Sequence, residues 1–120
     1  MITIELPFPP AILFPNKPGS WKAKMGPRAK YKQDCYLSAQ THKSVAKQDI
    51  NDMKENIHVR IVFHQPDKRS RDIDGMLSAC KNCLDGVCLA WGIDDKRLRP
   101  ITIDDGEIVK GGKVVITFGC

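Results

Sequence analysis

Ile57, Val59, Ile61 and Phe63 alternate with His58, Arg60, Val62 and His64, the period-two pattern of a strand with one strongly apolar face, and Pro66 ends it. Residues 2–6 alternate more weakly and run into Pro7, Pro9 and Pro10. Missing backbone donors and the restriction on the preceding residue stop a first strand there, and an extended segment leads away. Residues 11–27 carry Pro15, Pro18, Gly19 and Gly26 with Lys17, Lys22 and Lys24. That composition predicts a basic loop, either folded over a ligand or simply solvated. Residues 28–49 contain no proline or glycine, and Tyr31, Cys35, Ser38, His42 and Val45 recur at three- and four-residue spacing, which predicts a helix. Residues 73–90 predict a second helix, with Met76, Cys80, Leu84, Val87 and Cys88 on one broad face. Gly75 and Gly86 weaken its ends, and Gly92 breaks it before Asp94 and Asp95. Residues 100–103 and 113–118 read as strands around a polar turn containing Asp104, Asp105, Gly106, Gly111 and Gly112. The order strand, helix, strand, helix, strand, strand predicts a small two-layer domain rather than a repeat protein.

A length of 120 residues leaves room for one domain and excludes a second catalytic one. An apolar fraction of 42% with nine glycines and eight prolines fits a globular chain, whose modest core makes oligomerisation worth considering. Nineteen Lys and Arg against fourteen Asp and Glu give a net charge of +5, a balance that favours polyanionic partners such as nucleic acid without requiring them. No stretch approaches the roughly 20 apolar residues that span a bilayer. The start MITIELPFPP lacks the basic and apolar regions of a secretory signal, so the expected location is cytoplasmic, away from membranes.

Five cysteines, Cys35, Cys80, Cys83, Cys88 and Cys120, form an odd set best read as reduced thiols. Cys80-x-x-Cys83 followed by Cys88 suggests zinc, but no fourth ligand follows at a familiar spacing, and helical positions favour core packing. His42, His58 and His64 form no local ligand motif. Trp21 and Tyr31 suit base stacking or packing of the N-terminal loop, whereas Trp91 suits an anchor at the end of the second helix.

The segment RSRDIDGMLSACKNCLDGVCLAWGIDDKRLRP concentrates the chemistry. Asp72 and Asp74 fall in an extended lead-in to the second helix, where residues two apart point the same way and can share a metal. Asp94 and Asp95 follow that helix, and Asp95 reaches its start only if the chain doubles back. Three or four carboxylates would supply hard oxygen ligands for Mg²⁺ and leave positions for water and phosphate, the requirements of phosphodiester hydrolysis. Surface acids or helix caps are the plain alternative. Lys81, seven residues after Asp74, either approaches the phosphate or balances Asp85. Lys68, Arg69 and Arg71 precede the first acidic pair, and Lys96, Arg97 and Arg99 follow the second. Two basic runs bracketing metal ligands suggest a DNA channel, while no base-reading motif is present.

These residues resemble the RusA-like family of Holliday junction resolvases over nearly the whole chain. ELPFPP followed by Pro15 and Asn16 resembles the family opening, in which a proline-bounded strand enters a DNA-binding loop. RDIDGM resembles the pattern Arg-Asp-x-Asp-Asn-hydrophobic, with Gly75 where Asn is usual, and GIDDKRL resembles the Asp-Asp segment. The resemblance implies catalytic carboxylates at Asp72, Asp74 and Asp95, with Asp94 as a further metal neighbour. The family lysine position falls on Ser78, and Lys81 is the nearest candidate to replace it. Implied DNA contacts are Asn16, Lys17, Lys22, Lys24, Lys68, Arg69, Arg71, Lys96 and Arg97. The implied fold is α+β, a mixed β-sheet packed against helices, and the implied assembly is a homodimer in the bacterial cell, of phage or prophage origin. The implied activity is Mg²⁺-dependent cleavage of four-way junctions by paired nicks, with Mn²⁺ able to substitute. A branched-DNA binder without catalysis and a nonspecific metal-dependent nuclease are the alternatives.

Overall fold

In the computed structural model, β1 (Ile2–Leu6), β2 (Ile57–His64), β3 (Leu98–Asp105) and β4 (Lys113–Phe118) form one sheet in the order β1-β4-β2-β3. All residues are described except Asn16, Asp52, Lys54, Glu55 and Cys120, together with the side chain of Asn51. β4 runs antiparallel to both β1 and β2, whereas β3 runs parallel to β2, so the sheet is mixed. Parallel neighbours need a crossover, and α3 (Ile73–Trp91) supplies it. Strand alternation places Ile4, Val59, Ile61, Phe63, Val114, Ile116 and Phe118 in the core under the helices. The opposite face is polar, carrying the Arg60 to Asp104 contact at 3.3 Å and the Lys113 to Glu5 contact at 3.0 Å. The domain is therefore α+β, with a mixed four-stranded sheet packed against three helices.

The expected basic loop is shorter than its composition indicates, because α1 (Trp21–Gln40) starts before Gly26 and Pro27. Ser20 caps it, its Oγ accepting from the Ala23 amide at 3.2 Å. Pro27 cannot donate to the Ala23 carbonyl, but Ala23 is exposed and water can replace that donor. The single helix expected over residues 28–49 is two, α1 and α2 (Lys43–Asn51). At the break, the Thr41 hydroxyl donates to the Ser38 carbonyl at 2.8 Å. The break shifts the buried stripe from Tyr31, Cys35 and Ala39 to Ala46 and Ile50, leaving His42 and Val45 exposed.

α1 and α3 pack side by side beneath the sheet. Gly86 lets them meet, since a Cβ there would stand 2.4 Å from the Lys32 carbonyl oxygen. Far from merely weakening the helix end, this glycine permits a close approach of the two helices. Trp91 locks the same seam, its indole N–H donating to the Ala39 carbonyl at 2.8 Å while the ring meets Phe118 edge-on at 4.9 Å. Gly92 closes α3 in the left-handed region at φ 69°. Cys35, Cys80, Cys83 and Cys88 are free and buried, Cys120 lies outside the described residues, and burial pushes the Cys83 thiol well above its ordinary range. Among the described residues no helix is long and apolar enough to cross a membrane.

Candidate active site

The loop from β2 to α3 is held by a compact polar network. Asp67 accepts two bonds from the Arg71 guanidinium, at 2.9 and 3.3 Å, and one from the Arg69 amide at 3.0 Å. The Arg71 hydrogen bond, followed by the Arg69 amide, holds the Asp67 carboxyl below its ordinary value of 3.8. Arg71 also donates to Gln65 at 3.1 Å and lies 5.7 Å from the Phe8 ring centroid.

This network delivers the acidic pair to the start of α3. Asp72 is the extended N-cap residue, but its side chain makes no capping bond. Asp74 is already in the first helical turn, where one of its oxygens accepts from the Gly75 amide at 3.0 Å. The helix starts at Ile73, as its pattern predicts, so the expectation that both carboxylates share an extended lead-in is corrected for Asp74, which lies inside the helix. They nevertheless line one open cavity of about 570 Å³ together with Phe8, Phe14, Lys17, Arg69, Arg71 and Ser78. Both are exposed, and neither is in an ion pair among the described residues.

Asp94 and Asp95 are elsewhere. They follow the C-terminal end of α3, and the 19 residues of that helix span about 28 Å at 1.5 Å per residue. The chain does not double back, so one subunit does not gather Asp72, Asp74 and Asp95. Among the described residues, no group of three His, Cys, Asp or Glu side chains is placed to hold a metal. Asp94 accepts from the Lys96 amide at 3.0 Å, and this bond, ahead of contacts with Asp95, Lys96 and Arg97, lowers its carboxyl from the ordinary value. Nearby Cys88 is pushed up to about 12, first by burial and then by the charges of Asp95, Asp85 and Asp94.

The basic candidates divide similarly. Lys17 and Arg69 line the cavity, and Lys68 is exposed beside them. Lys22 is exposed on the first turn of α1, whereas Lys24 is buried and donates to the Lys17 and Phe14 carbonyls at 3.1 and 3.5 Å. Lys24 therefore fastens the N-terminal loop, in place of the expected DNA-facing role. Asn16 lies outside the described residues. Lys96 and Arg97 stand at the far end with Asp94 and Asp95. Lys81 is exposed about 10 Å along the helix axis from Asp74 and does not line the cavity, although Ser78 does.

The aromatic wall escaped sequence reasoning. Phe8 and Phe14 stack at 6.3 Å with 28° between their planes, and Phe63 meets Phe8 edge-on at 6.4 Å. The alternation of Phe8 with Pro7 and Pro9 was the available signal, but it does not name the partner ring. Tyr31 is buried with its hydroxyl donating to the Pro7 carbonyl at 2.8 Å, which assigns it to loop packing, while Trp21 is 66% exposed.

No family model matches the chain. A curated protein of Xylella fastidiosa (strain Temecula1), described only as an uncharacterized protein, is 27% identical over 118 residues, covering 98% of this chain and 76% of its own length.

Proposed function

We propose that the chain is a RusA-like, Mg²⁺-dependent endodeoxyribonuclease that resolves four-way DNA junctions by paired phosphodiester hydrolysis in the bacterial cytoplasm. The observation carrying this reading is the convergence of Asp72 and Asp74 with Lys17, Arg69 and Arg71 on one open cavity at the start of a helix. Two exposed carboxylates suit Mg²⁺, which is commonly held by one or two carboxylates with waters and substrate phosphates completing the shell. Bound there, the ion would polarise a phosphate and lower the pKa of a water. Asp72 and Asp74 would hold the ion, and Lys17 and Arg69 would draw the DNA backbone to it. Arg71 adds charge while its bonds to Asp67 fix the loop. Lys68 and Lys22 extend the basic surface.

Asp94 and Asp95 enter this reading through a homodimer. Two α3 helices lying antiparallel about a two-fold axis would bring Asp95 of one copy to Asp72 and Asp74 of the other, with Lys96 and Arg97 beside them. Lys81, near the middle of α3, then contacts the DNA backbone instead of the scissile phosphate in its own cavity.

The absence of an ammonium group at Ser78 favours one competing reading, a branched-DNA binder without catalysis. Cleavage of an immobile four-way junction and a matched linear duplex in Mg²⁺, with the nicks mapped, separates the two. Symmetric nicks confined to the junction, lost in Asp74→Asn with binding retained, support the resolvase. Binding without nicks supports the inactive binder, and equal cutting of both substrates supports a nonspecific nuclease.

A further inference from the structure

We infer that the cavity beside Asp72 and Asp74 receives an unpaired nucleobase adjoining the phosphate to be cut. The inference rests on the nuclease reading and specifies the state of the DNA that the site accepts.

A cavity serving only a metal ion and a passing backbone needs charge and little else. This one has about 570 Å³, within the range of roughly 300–1,000 Å³ for pockets that enclose a whole small ligand. Its lining is of two kinds. Asp72, Asp74, Arg69 and Lys17 bring charge, suited to a phosphate and its counter-ion, whereas Phe8 and Phe14, with Pro9, Pro15 and Pro66, bring apolar surface.

The apolar part is also built to stay in place. Phe8 is stacked on Phe14, braced edge-on by Phe63, and accompanied by the Arg71 guanidinium, itself bonded to Asp67 at 2.9 Å. Duplex DNA offers such a wall only sugars and phosphates. An unstacked base offers flat apolar faces, which stack on aromatic rings and on arginine planes whatever the base. Charge and apolar character in one cavity therefore fit one nucleotide turned out of its helix, its base against the phenylalanines and its phosphate against the charged groups.

Branch selectivity follows from the same geometry. Turning out a base costs unpairing and unstacking energy, which is least where pairing is already disturbed. Nucleotides at a branch point meet that condition, and those within a linear duplex do not.

The test uses the whole protein and a four-way junction carrying 2-aminopurine, in turn, at each nucleotide flanking the branch point, with Ca²⁺ replacing Mg²⁺ during binding. Wild-type protein is expected to raise the fluorescence at one of these positions at least about threefold, as unstacking does, with no change at a position deep in an arm. Phe8→Leu, which keeps an apolar side chain beside Phe63, is expected to reduce that rise and slow cleavage. A linear duplex with one mismatch should also be cut faster than its matched counterpart. Cleavage without any fluorescence rise, with matched and mismatched duplexes cut alike, overturns the base pocket and leaves the nuclease reading standing. A Phe8-dependent rise without cleavage by wild-type protein does the reverse, supporting the pocket and removing the nuclease. Absence of both effects overturns both.

Discussion

Gly86→Ala adds one carbon at the point where α3 presses against α1. The new Cβ would stand 2.4 Å from the Lys32 carbonyl oxygen and 3.1 Å from the Tyr36 amide nitrogen. Both are backbone atoms, which no rotamer change can move aside. Restoring ordinary contact requires the helices to part by about 1 Å, and a gap of 0.5–1 Å already forfeits a quarter to a half of the attraction between facing atoms. That loss extends along a seam that includes Tyr31, Cys35, Cys80 and Cys83, all fully or nearly fully buried. Overpacking of this kind costs about 1–3 kcal/mol, and the upper half of that range applies because both opposing atoms belong to the backbone. Alanine gains about 1 kcal/mol over glycine inside a helix. The balance is a destabilisation of about 1–2 kcal/mol, which lowers Tm by roughly 3–8 °C in a domain of this size. Urea unfolding followed by circular dichroism reads the free energy directly, and calorimetry reads Tm. Asp85→Ala is the control, being one residue away on the exposed side of α3 with the same change toward a good helix former, and it should unfold at or slightly above the wild-type midpoint. A Gly86→Ala protein as stable as wild type would show that the helices do not meet at this glycine.

Trp91→Phe keeps an aromatic ring against Phe118 and removes the indole donor from the Ala39 carbonyl, which still accepts from the His42 amide at 3.0 Å, so it should cost about 0.5–1.5 kcal/mol in urea unfolding; an unchanged midpoint would remove the indole hydrogen bond from the account. Asp67 has a folded pKa below its ordinary 3.8, so it contributes stability above that value and loses it as pH falls through the lower folded pKa. An acid unfolding series should therefore show Asp67→Asn lacking part of the wild-type decline below about 3.8, and parallel curves would refute the coupling to Arg71. Mixed dimers of Asp74→Asn and Asp95→Asn subunits should regain cleavage in one of their two centres if the acids act between copies, whereas an inactive mixture of two inactive variants would confine each centre to one chain.

β2 and β4 were legible because one face of each is buried and the other is not, so burial imposes alternation on the sequence. β3 was only half legible: it lies at the sheet edge, most of its residues are exposed, and Leu98 and Arg99 precede Pro100 without a clear period. The start of α1 was hidden for a different reason. Gly26 and Pro27 carry strong turn preferences, and the Ser20 cap, with Lys24 bonded back to the loop, outweighs them through contacts that only the fold creates. In the candidate site, Asp72 and Asp74 were legible because they are close in sequence. Phe8 and Phe14 of the same lining were not, since they lie on a separate segment that the first strand and Lys24 bring to the same place.

The separation of the two acidic pairs has a consequence that carbon-copy counting of carboxylates misses. Four aspartates in one stretch suggest a single crowded centre, but a helix of 19 residues acts as a rigid spacer that holds the two pairs at its opposite ends, so under the proposed reading each subunit would supply two half-centres. If the proposed reading holds, a single chain would offer Mg²⁺ two carboxylates at one end of α3, DNA phosphate and water would complete the shell, and metal affinity should rise when DNA is present. The proposed two-fold pair of chains would change both number and symmetry: each end of α3 would meet the opposite end of its copy, and two equal centres would form together or not at all. That coupling is physically suited to a four-way junction, whose strands present equivalent phosphates across a two-fold axis. Under this arrangement dimerisation, metal binding and paired cutting are one linked equilibrium, and dilution below the dimer dissociation constant should abolish cleavage before it abolishes binding of a single subunit to the DNA backbone.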